Sequence, residues 1–189
     1  RPMTLTAVPL VKIAGRQVLA SAVSQLRIEH ALNTAAHLQF RFDSNHVDAG
    51  RVSVGAAITV SALDDDQAET TLFDGEILGL GIEMRGGRND IVADAYDRAA
   101  GLMRKSSLTA HSEMTASDVL RRIAQSAGLE ADIDDLGSSR IPTFQQRGTP
   151  AAAIDELCRR YGADWHVTER KLVVRVRGNS PPASGVTLV

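Results

Sequence analysis

One pattern occurs twice in this chain, as TASDVLRRIAQSAG at residues 115–128 and as TPAAAIDELCRRYG at residues 149–162. Both copies begin with threonine and end with glycine, and their apolar residues occupy corresponding positions. The spacing i, i+1, i+4, i+5, i+8 is typical of a helix that buries one face. We therefore predict two equivalent helices. Two unrelated amphipathic helices would give the same pattern and would leave the functional interpretation unchanged.

Each copy carries its own start and stop signals. Thr115 and Thr149 can cap the helices, because a threonine hydroxyl accepts a hydrogen bond from a free N–H of the first turn. Pro150 suits the first helical position, where no N–H is needed. Gly128 and Gly162 can adopt the left-handed conformation that closes a last turn. Short apolar-rich stretches follow both glycines, so we predict two helix–strand modules.

Other segments of the second half are predicted from shorter patterns. Residues 97–105 favour a short helix, and residues 141–146 favour an extended segment after a loop. Residues 172–176 alternate apolar and charged side chains, and they can pair with residues 163–168 through a two-residue turn. The composition of residues 178–185 is that of a linker.

The first hundred residues read as strands separated by short polar turns. The clearest alternation places Leu38, Phe40 and Phe42 on one face. A long strand over residues 73–84 is interrupted by three glycines, Gly75, Gly79 and Gly81. Interior glycines in a strand mark bulges or sharp bends, as at barrel corners. We predict a small closed or partly closed antiparallel β-barrel, within a β-rich α+β fold.

The composition excludes several functional classes. The chain has 189 residues, of which 43% are hydrophobic, and its net charge is −2 at pH 7. That charge argues against a broad surface for nucleic acid or anionic membranes, and 4% aromatic residues argue against base stacking. The apolar runs are too short to span a bilayer. The single cysteine, Cys158, excludes an internal disulfide framework.

The residue types that carry chemistry do not form a recognisable site. One acidic turn at residues 64–66 lacks the spaced oxygen ligands of a calcium site. The glycines of residues 75–81 do not precede a capped helix, as a phosphate-binding loop would require. Cys158 lies on the apolar face of a helix and is interpreted as a buried small hydrophobe. The histidines are scattered without metal-ligand spacing: His30, His37, His46, His111 and His166.

Three carboxylates on predicted strands, Glu76, Glu83 and Asp94, have no spacing that joins them into an acid–base pair. We therefore predict no catalytic, cofactor-binding or metal-binding residues, no cofactor, and no enzymatic activity. Trp165 is interpreted as part of a core or barrel wall. Two arginine doublets, at residues 121–122 and 159–160, are interpreted as a solvated face, with a charge-paired protein interface as the alternative.

Several short motifs follow one another in an order that resembles a known family. They are Phe73-x-Gly75-x-Ile77, then Ala95-Tyr96-Asp97, a capped helix with Asp118 and Ile123, then Gln146-x-Gly148-Thr149, a helix with Ile154 and Leu157, and Tyr161-Gly162-Ala163-Asp164-Trp165. Over roughly residues 5–178 this order resembles the hub region of contractile-injection spike proteins. Those include baseplate hubs and late-control D proteins of phage tails, VgrG proteins of type VI secretion, and relatives in extracellular injection systems. The family often has an acidic residue early in the second helix, where this chain has Pro150-Ala151-Ala152.

The resemblance implies a division of the chain. Residues 1–97 would form the first tube-like β-barrel, and residues 98–177 an α/β region with two helix–strand repeats. Residues 178–189 would be a linker and the start of a second barrel. The chain would then be the front part of a longer two-barrel hub.

The resemblance also implies a mechanical role within a homotrimer. Three subunits with two barrels each would present a pseudo-sixfold ring to the hexameric ring of the inner tube. The trimer would support the piercing needle, contact baseplate or wedge proteins, and carry a spike tip or effector cargo. Assembly would take place in the bacterial cytoplasm, and the product would be part of a tail or injection particle. Neither nucleic-acid binding nor stable membrane insertion is expected.

Two other classes remain as alternatives. A cell-wall or carbohydrate-binding module would need an exposed aromatic cluster. An enzyme such as a wall hydrolase would need two convergent carboxylates or a metal triad in a cleft.

Overall fold

The computed structural model describes residues 9–43, 52–63, 69–85 and 88–178. Several features interpreted from the sequence lie outside these described residues. They are the acidic turn at residues 64–66, His46, and the linker and strand of residues 179–189.

The contacts divide the chain into two units. Of the described residues, unit 1 contains 9–29 and 36–97 apart from the gaps above, and unit 2 contains 30–35 and 98–178. The strands are β1 (Pro9–Ile13), β2 (Arg16–Val18), β3 (Val23–Glu29), β4 (His37–Asp43), β5 (Ala57–Leu63), β6 (Glu69–Arg85), β7 (Arg88–Asp97), β8 (Ser107–Thr115), β9 (Glu130–Ile133), β10 (Arg140–Gly148), β11 (Ala163–Thr168) and β12 (Lys171–Val176). The α-helices are α1 (Ala99–Arg104), α2 (Ala116–Ser126) and α3 (Pro150–Arg160).

Unit 1 is one antiparallel sheet of seven strands. Its strand order is β2-β1-β5-β6-β7-β4-β3, and it curves into a half-barrel. Within the described ranges, the hydrogen-bonded ladder ends at β2 on one side and at β3 on the other. The predicted β-rich α+β class is confirmed, with this half-barrel, two smaller sheets and three helices.

The inner face of the sheet is the core of unit 1. Leu38, Phe40 and Phe42 on β4 are completely buried, as the alternating pattern predicted. The rings of Phe40 and Phe42 stack with their centroids 5.1 Å apart. Across the ladder, Phe40 pairs with Ala93 and Leu38 with Ala95 on β7. Small residues opposite large ones let this layer pack at high density.

Two β-bulges change which residues face the core. The bulge between Ile77 and Gly79 falls at one of the glycines that predicted it. The bulge between Val60 and Ser61 was not predicted. The extra residue of this bulge is Leu72 on β6, whereas β5 pairs with β1 without interruption. On β5, Ser61 is buried and Ala62 is only half-buried. In the sequence, Ile58, Val60 and Ala62 alternate with Thr59 and Ser61, which predicts that Ala62 is buried and Ser61 is exposed.

The local signals of the repeated helices are confirmed. The Thr115 hydroxyl accepts a hydrogen bond from the Asp118 N–H, and the Thr149 hydroxyl accepts one from the Ala152 N–H, both at 3.2 Å. Gly128 and the corresponding Gly162 have φ angles of +73° and +63°. Both helices bury the predicted apolar positions up to i+5, whereas at i+8 Ala127 is exposed and Tyr161 is half-buried. Each helix is followed by a strand.

The strands that follow the two helices belong to one sheet. β12 lies between β11, to which it is antiparallel, and β9, to which it is parallel. The predicted hairpin of residues 163–168 with 172–176 is therefore confirmed as β11 and β12. Trp165 is fully buried in the core of unit 2, together with Leu120, Ile123, Ile154 and Leu157.

A two-stranded ribbon in unit 2 was only half predicted. β10 covers the extended segment expected at residues 141–146, but its partner β8 was not predicted. Eight of the nine β8 residues are at least partly exposed, with His111 as the buried exception. A strand without a buried face has no apolar alternation, so its pairing leaves no mark in the sequence.

Candidate interaction surface

Three neighbouring aliphatic side chains near the end of β6 lack cover. Leu80, Ile82 and Met84 are 39%, 75% and 80% exposed. They alternate along the strand, so they share one face. Leu80 pairs with the buried Ala93 and Ile82 with Ile91, which places them on the same side of the sheet as the core. We call these three side chains the inner strip.

The inner strip exists because β6 is longer than its neighbour. The ladder between β5 and β6 ends at the pair Ala57 and Glu76, whereas β6 continues to Arg85. Residues 78–85 are therefore paired with β7 on one side only, as far as the described ranges extend. Within those ranges, no strand pairs with their other side, which lies next to an uncovered apolar row.

This edge lacks the usual protection against pairing. Exposed edge strands commonly carry Lys, Pro or an inward-pointing charge that blocks another strand. Residues 78–84 read LGLGIEM, with Gly79 and Gly81 on the face opposite to the inner strip. A Cβ atom added at Gly81 would have no atom within 4 Å. A second backbone can therefore approach this segment closely.

The other long edge of the sheet is β3. Its inner-face residues Leu26 and Ile28 pack against the core but stay half-buried. A cleft of about 260 Å³ lies beside the first half of this strand. The cleft is lined by Pro9, Val23, Ser24, Gln25 and Leu26. Half-buried aliphatic residues at an edge leave the core incompletely sealed there.

The outer face of the same strands is polar and internally paired. His37 contacts the Asp94 carboxylate at 3.0 Å and stacks on Tyr96 with ring centroids 4.8 Å apart. Gln39 donates a second hydrogen bond to the same Asp94 oxygen. Arg41, itself largely buried, contacts Glu83 at 2.9 Å. These polar side chains therefore contact one another across neighbouring strands.

The three carboxylates that the sequence places on strands, Glu76, Glu83 and Asp94, do not form a catalytic acid–base pair. Glu83 is held by Arg41, and Asp94 is held by His37 and Gln39. Glu76 lies seven residues from Glu83 along β6 and is exposed. Paired, solvent-accessible carboxylates are ordinary surface features.

Cys158 is placed as the sequence predicted. It is 2% exposed on the apolar face of α3. Burial, assisted by the negative charges of Asp155 and Asp164, raises the pKa of its thiol to about 12. The thiol is therefore protonated at neutral pH and is a poor nucleophile. In the part of the chain that the structure describes, no group of three or more His, Cys, Asp or Glu side chains could hold a metal ion.

The Asp164 carboxylate, whose pKa is lowered, holds the edge of β11. Arg177 donates two hydrogen bonds to Asp164, at 2.9 Å and 2.8 Å. Asn33 donates a third hydrogen bond to Asp164 at 2.9 Å. The side-chain oxygen of Asn33 accepts a hydrogen bond from the backbone N–H of Trp165. These donors, Arg177 first and then Asn33, lower the pKa of Asp164 to about 2. We call this arrangement the Asp164 clamp.

The Asp164 clamp makes the stability of unit 2 depend on pH. Because the folded pKa of Asp164 lies below the unfolded value of about 3.9, the clamp stabilises unit 2 fully above that value. The stabilisation is lost as the pH falls from about 4 to about 2. Since Arg177 is 60% exposed, solvent screening limits the effect to about 1 kcal/mol.

Asp164→Asn isolates this contribution. We expect the wild-type free energy of unfolding to fall by about 1 kcal/mol more than that of the variant between pH 5 and pH 2. Urea unfolding followed by fluorescence of Trp165, the single tryptophan, measures both. Identical pH profiles would contradict the assignment, because all other acidic groups are common to the two proteins.

The arginine doublets lie on exposed helix faces. Arg121 contacts Asp118 at 2.9 Å, and Arg160 contacts Glu156 one turn away on the same helix. All four arginines are exposed, in agreement with a solvated face. The alternative, a charge-paired protein interface, stays a prediction.

The aromatic residues are poorly placed for binding sugars. Phe40, Phe42, Phe73, Phe144 and Trp165 are buried, and the two tyrosines are half-buried. A carbohydrate-binding surface presents aromatic faces to solvent, so this arrangement does not favour that alternative. Within the described ranges, the helices are too short or too polar to cross a membrane.

The inner strip was not predicted from the sequence. Residues 73–84 were correctly predicted as one glycine-interrupted strand, but no side of it was expected to be uncovered. The available signal was the aliphatic alternation of residues 80–84 beyond the last residue that β5 can pair. To interpret that signal, one must know the register of β5 on β6, which the sequence alone does not supply.

The fold is that of several tail and secretion proteins. The prophage MuSo2 43 kDa tail protein of Shewanella oneidensis aligns with a TM-score of 0.73 at 12% identity, over 89% of this chain and 53% of that chain. A tail protein of Neisseria meningitidis aligns with a TM-score of 0.72 at 15% identity, over 95% and 53%. The E. coli c3393 protein, a type VI secretion component described as similar to the T4 tail proteins gp27 and gp5, aligns with a TM-score of 0.59 at 16% identity, over 87% and 47%.

These similarities confirm the expected resemblance at the level of the fold. The chain spans about half the length of each of these proteins. No protein-family profile matches the sequence, and no curated protein matches it.

Proposed function

We propose that this chain is a structural component of a contractile injection machine, such as a phage tail or a type VI secretion device. Its role is that of a trimeric hub that joins the inner tube to the piercing needle. The observation that carries the proposal is the fold, which aligns over 89% and 95% of the chain with two tail proteins. Such a role needs rigid units and interfaces, and it needs no reactive centre.

The side-chain chemistry supports a non-enzymatic role. The thiol of Cys158 is buried and protonated, and the carboxylates Glu83 and Asp94 are paired within one sheet face. What unit 1 offers to another molecule is apolar surface and a free sheet edge. Those are features of assembly rather than of catalysis.

The proposed partners follow from the hub role. Residues 1–97 would be the tube-like barrel that meets the hexameric ring of the inner tube, and residues 98–177 the repeat region. Baseplate or wedge proteins would contact the outer surface, and a spike tip or effector would be carried at the needle. A permanent hub interface buries about 2,000 Å² or more and has an apolar core.

Light scattering on the purified full-length protein tests the trimer. We expect a mass three times that of one subunit, unchanged on dilution through the micromolar range. A permanent apolar interface gives that result because its dissociation is slow and its Kd is low. A monomeric mass at micromolar concentration would contradict the trimeric hub, and a stable dimer would contradict it equally.

A further inference from the structure

We propose that the cleft between strand β10 and helix α3 of unit 2 binds an extended acidic segment of a partner protein. The segment adds its backbone to the unpaired side of β10 and places a carboxylate on Arg147. Such a site goes beyond the hub role, which assigns no partner chemistry to unit 2.

The cleft follows the side of β10 that has no strand partner. Its volume is about 500 Å³, within the range of about 300–1,000 Å³ that is common for ligand clefts. It is lined by Thr143, Phe144, Gln145 and Arg147 of β10 and by Glu156 and Arg160 of α3. Within the described ranges, no β8 residue lines the cleft, and β10 pairs with no strand other than β8. The cleft therefore runs along an edge of β10 to which a further strand can be added.

The edge itself selects what can be added. Pro142, which has no N–H group to donate, stands just before the cleft. The side chain of Phe144 is 3% exposed and packs in the core of unit 2, which anchors the strand. Arg147 is the single charged residue of residues 143–147. A charge at a sheet edge opposes pairing with a strand that cannot neutralise it, so this edge favours an acidic strand.

The charge of Arg147 has no ionic partner in the part of the chain that the structure describes. Its Nε and Nη2 groups donate hydrogen bonds to the side-chain oxygen of Gln145, at 3.1 Å and 2.5 Å. Because Gln145 is neutral, it orients the guanidinium without neutralising it. The other two charged lining residues, Glu156 and Arg160, form an ion pair with each other. The cleft therefore carries one unbalanced positive charge.

The donors in the cleft favour a carboxylate as the ligand group. The Nη1 group of Arg147 is available to donate, and so is the amide nitrogen of Gln145, whose oxygen is already engaged. Hydrogen bonds from a guanidinium to a carboxylate are charge-assisted and are stronger than neutral ones. Alternate side chains of a strand share one face. An extended segment with acidic residues at alternate positions can therefore pair its backbone with β10 and still reach Arg147.

Fluorescence anisotropy with the labelled peptide VEVEVE tests the site on the full-length protein. We expect saturable binding, and none of VKVKVK, in which the charges are reversed. Arg147→Gln should weaken the binding of VEVEVE about five- to tenfold, because the charge-assisted contact is lost. Arg159→Gln is the matched control. It removes the same charge from an exposed residue of α3 that does not line the cleft and instead donates to the Asp155 carbonyl oxygen. The control should leave the Kd within about twofold, since distant exposed charges are screened by salt.

Backbone methylation of the peptide tests the pairing with β10 separately. An N-methylated form of VEVEVE keeps its carboxylates but loses the N–H groups that a sheet edge requires. We expect it to bind about tenfold more weakly or worse. Circular dichroism of both arginine variants should match the wild type, because Arg147 and Arg159 are exposed.

Three outcomes would overturn the site. Equal weakening by Arg147→Gln and Arg159→Gln would show general attraction to a basic surface rather than binding in the cleft. Full affinity of the N-methylated peptide would show that β10 does not pair with the ligand. Absence of saturable binding up to about 5 mM VEVEVE would leave no site for an acidic strand. Light scattering decides the trimer independently, so the hub proposal stands or falls separately from this site.

Discussion

Replacing Phe40 with alanine is expected to lower the free energy of unfolding of unit 1 by about 3–5 kcal/mol. Phe40 is completely buried in the middle of the inner face, stacked on Phe42 and opposite Ala93. Alanine would remove the ring and leave a cavity that a curved sheet cannot close without breaking its ladder. The loss in stability therefore has two parts: the free energy of burying the ring atoms, which is lost, and the cost of the cavity that they leave.

Urea unfolding followed by far-ultraviolet circular dichroism measures this loss. Val54→Ala is the control in the same unit, since Val54 is 62% exposed and should change stability by no more than about 0.5 kcal/mol. Trp165 fluorescence reports unit 2 separately, because the only tryptophan lies there. An equally small effect at Phe40 would show that the inner face is not a packed core.

Gly75→Ala is also expected to be strongly destabilising, at about 3 kcal/mol. A Cβ atom at position 75 would lie 2.2 Å from the backbone oxygen of Tyr96 and 2.8 Å from the Phe73 ring. The Phe73 ring is buried in the core, and the oxygen belongs to the adjacent strand β7. Relief requires β6 and β7 to separate at the pair formed by Gly75 and Asp97, which breaks ladder hydrogen bonds.

Gly81→Ala is a matched control on the same strand. The added methyl group would meet nothing within 4 Å, and the φ angle of Gly81 is not in the left-handed region. Since glycine is less favourable than alanine in a strand by roughly 0.5–1 kcal/mol, this variant should be neutral or slightly more stable. Melting temperature and soluble yield distinguish the two. Equal values for both alanine variants would contradict the close approach at Gly75.

The helix–strand modules of unit 2 could be predicted because their signals are local. A threonine cap depends on N–H groups two or three residues away, and the closing glycines depend on their own φ angles. The same holds for the hairpin of β11 and β12, whose turn joins adjacent segments. β8 could not be predicted in this way. Its stability comes from pairing with β10, some thirty residues further along the chain, and its exposed faces carry no periodic signal.

The inner strip depends on tertiary structure more strongly still. In sequence, Leu80, Ile82 and Met84 alternate as Leu38, Phe40 and Phe42 do, yet the second set is buried and the first is not. The difference is the register of β5 on β6, whose last pair is Ala57 with Glu76. Alternation identifies the apolar face of a strand, but cover for that face comes from strands that are distant in the chain.

The sequence by itself determined the capped helices, the strands with one apolar face, the buried and unreactive Cys158, and the resemblance to injection hubs. The tertiary structure alone decided the burial of Ser61, the ribbon of β8 and β10, the Asp164 clamp with Asn33, and the uncovered end of β6. The physical reason is how far apart in the chain the interacting residues lie. Caps, turns and alternation are set by residues within a few positions of one another, whereas register, burial and ion pairing require residues that only folding brings together.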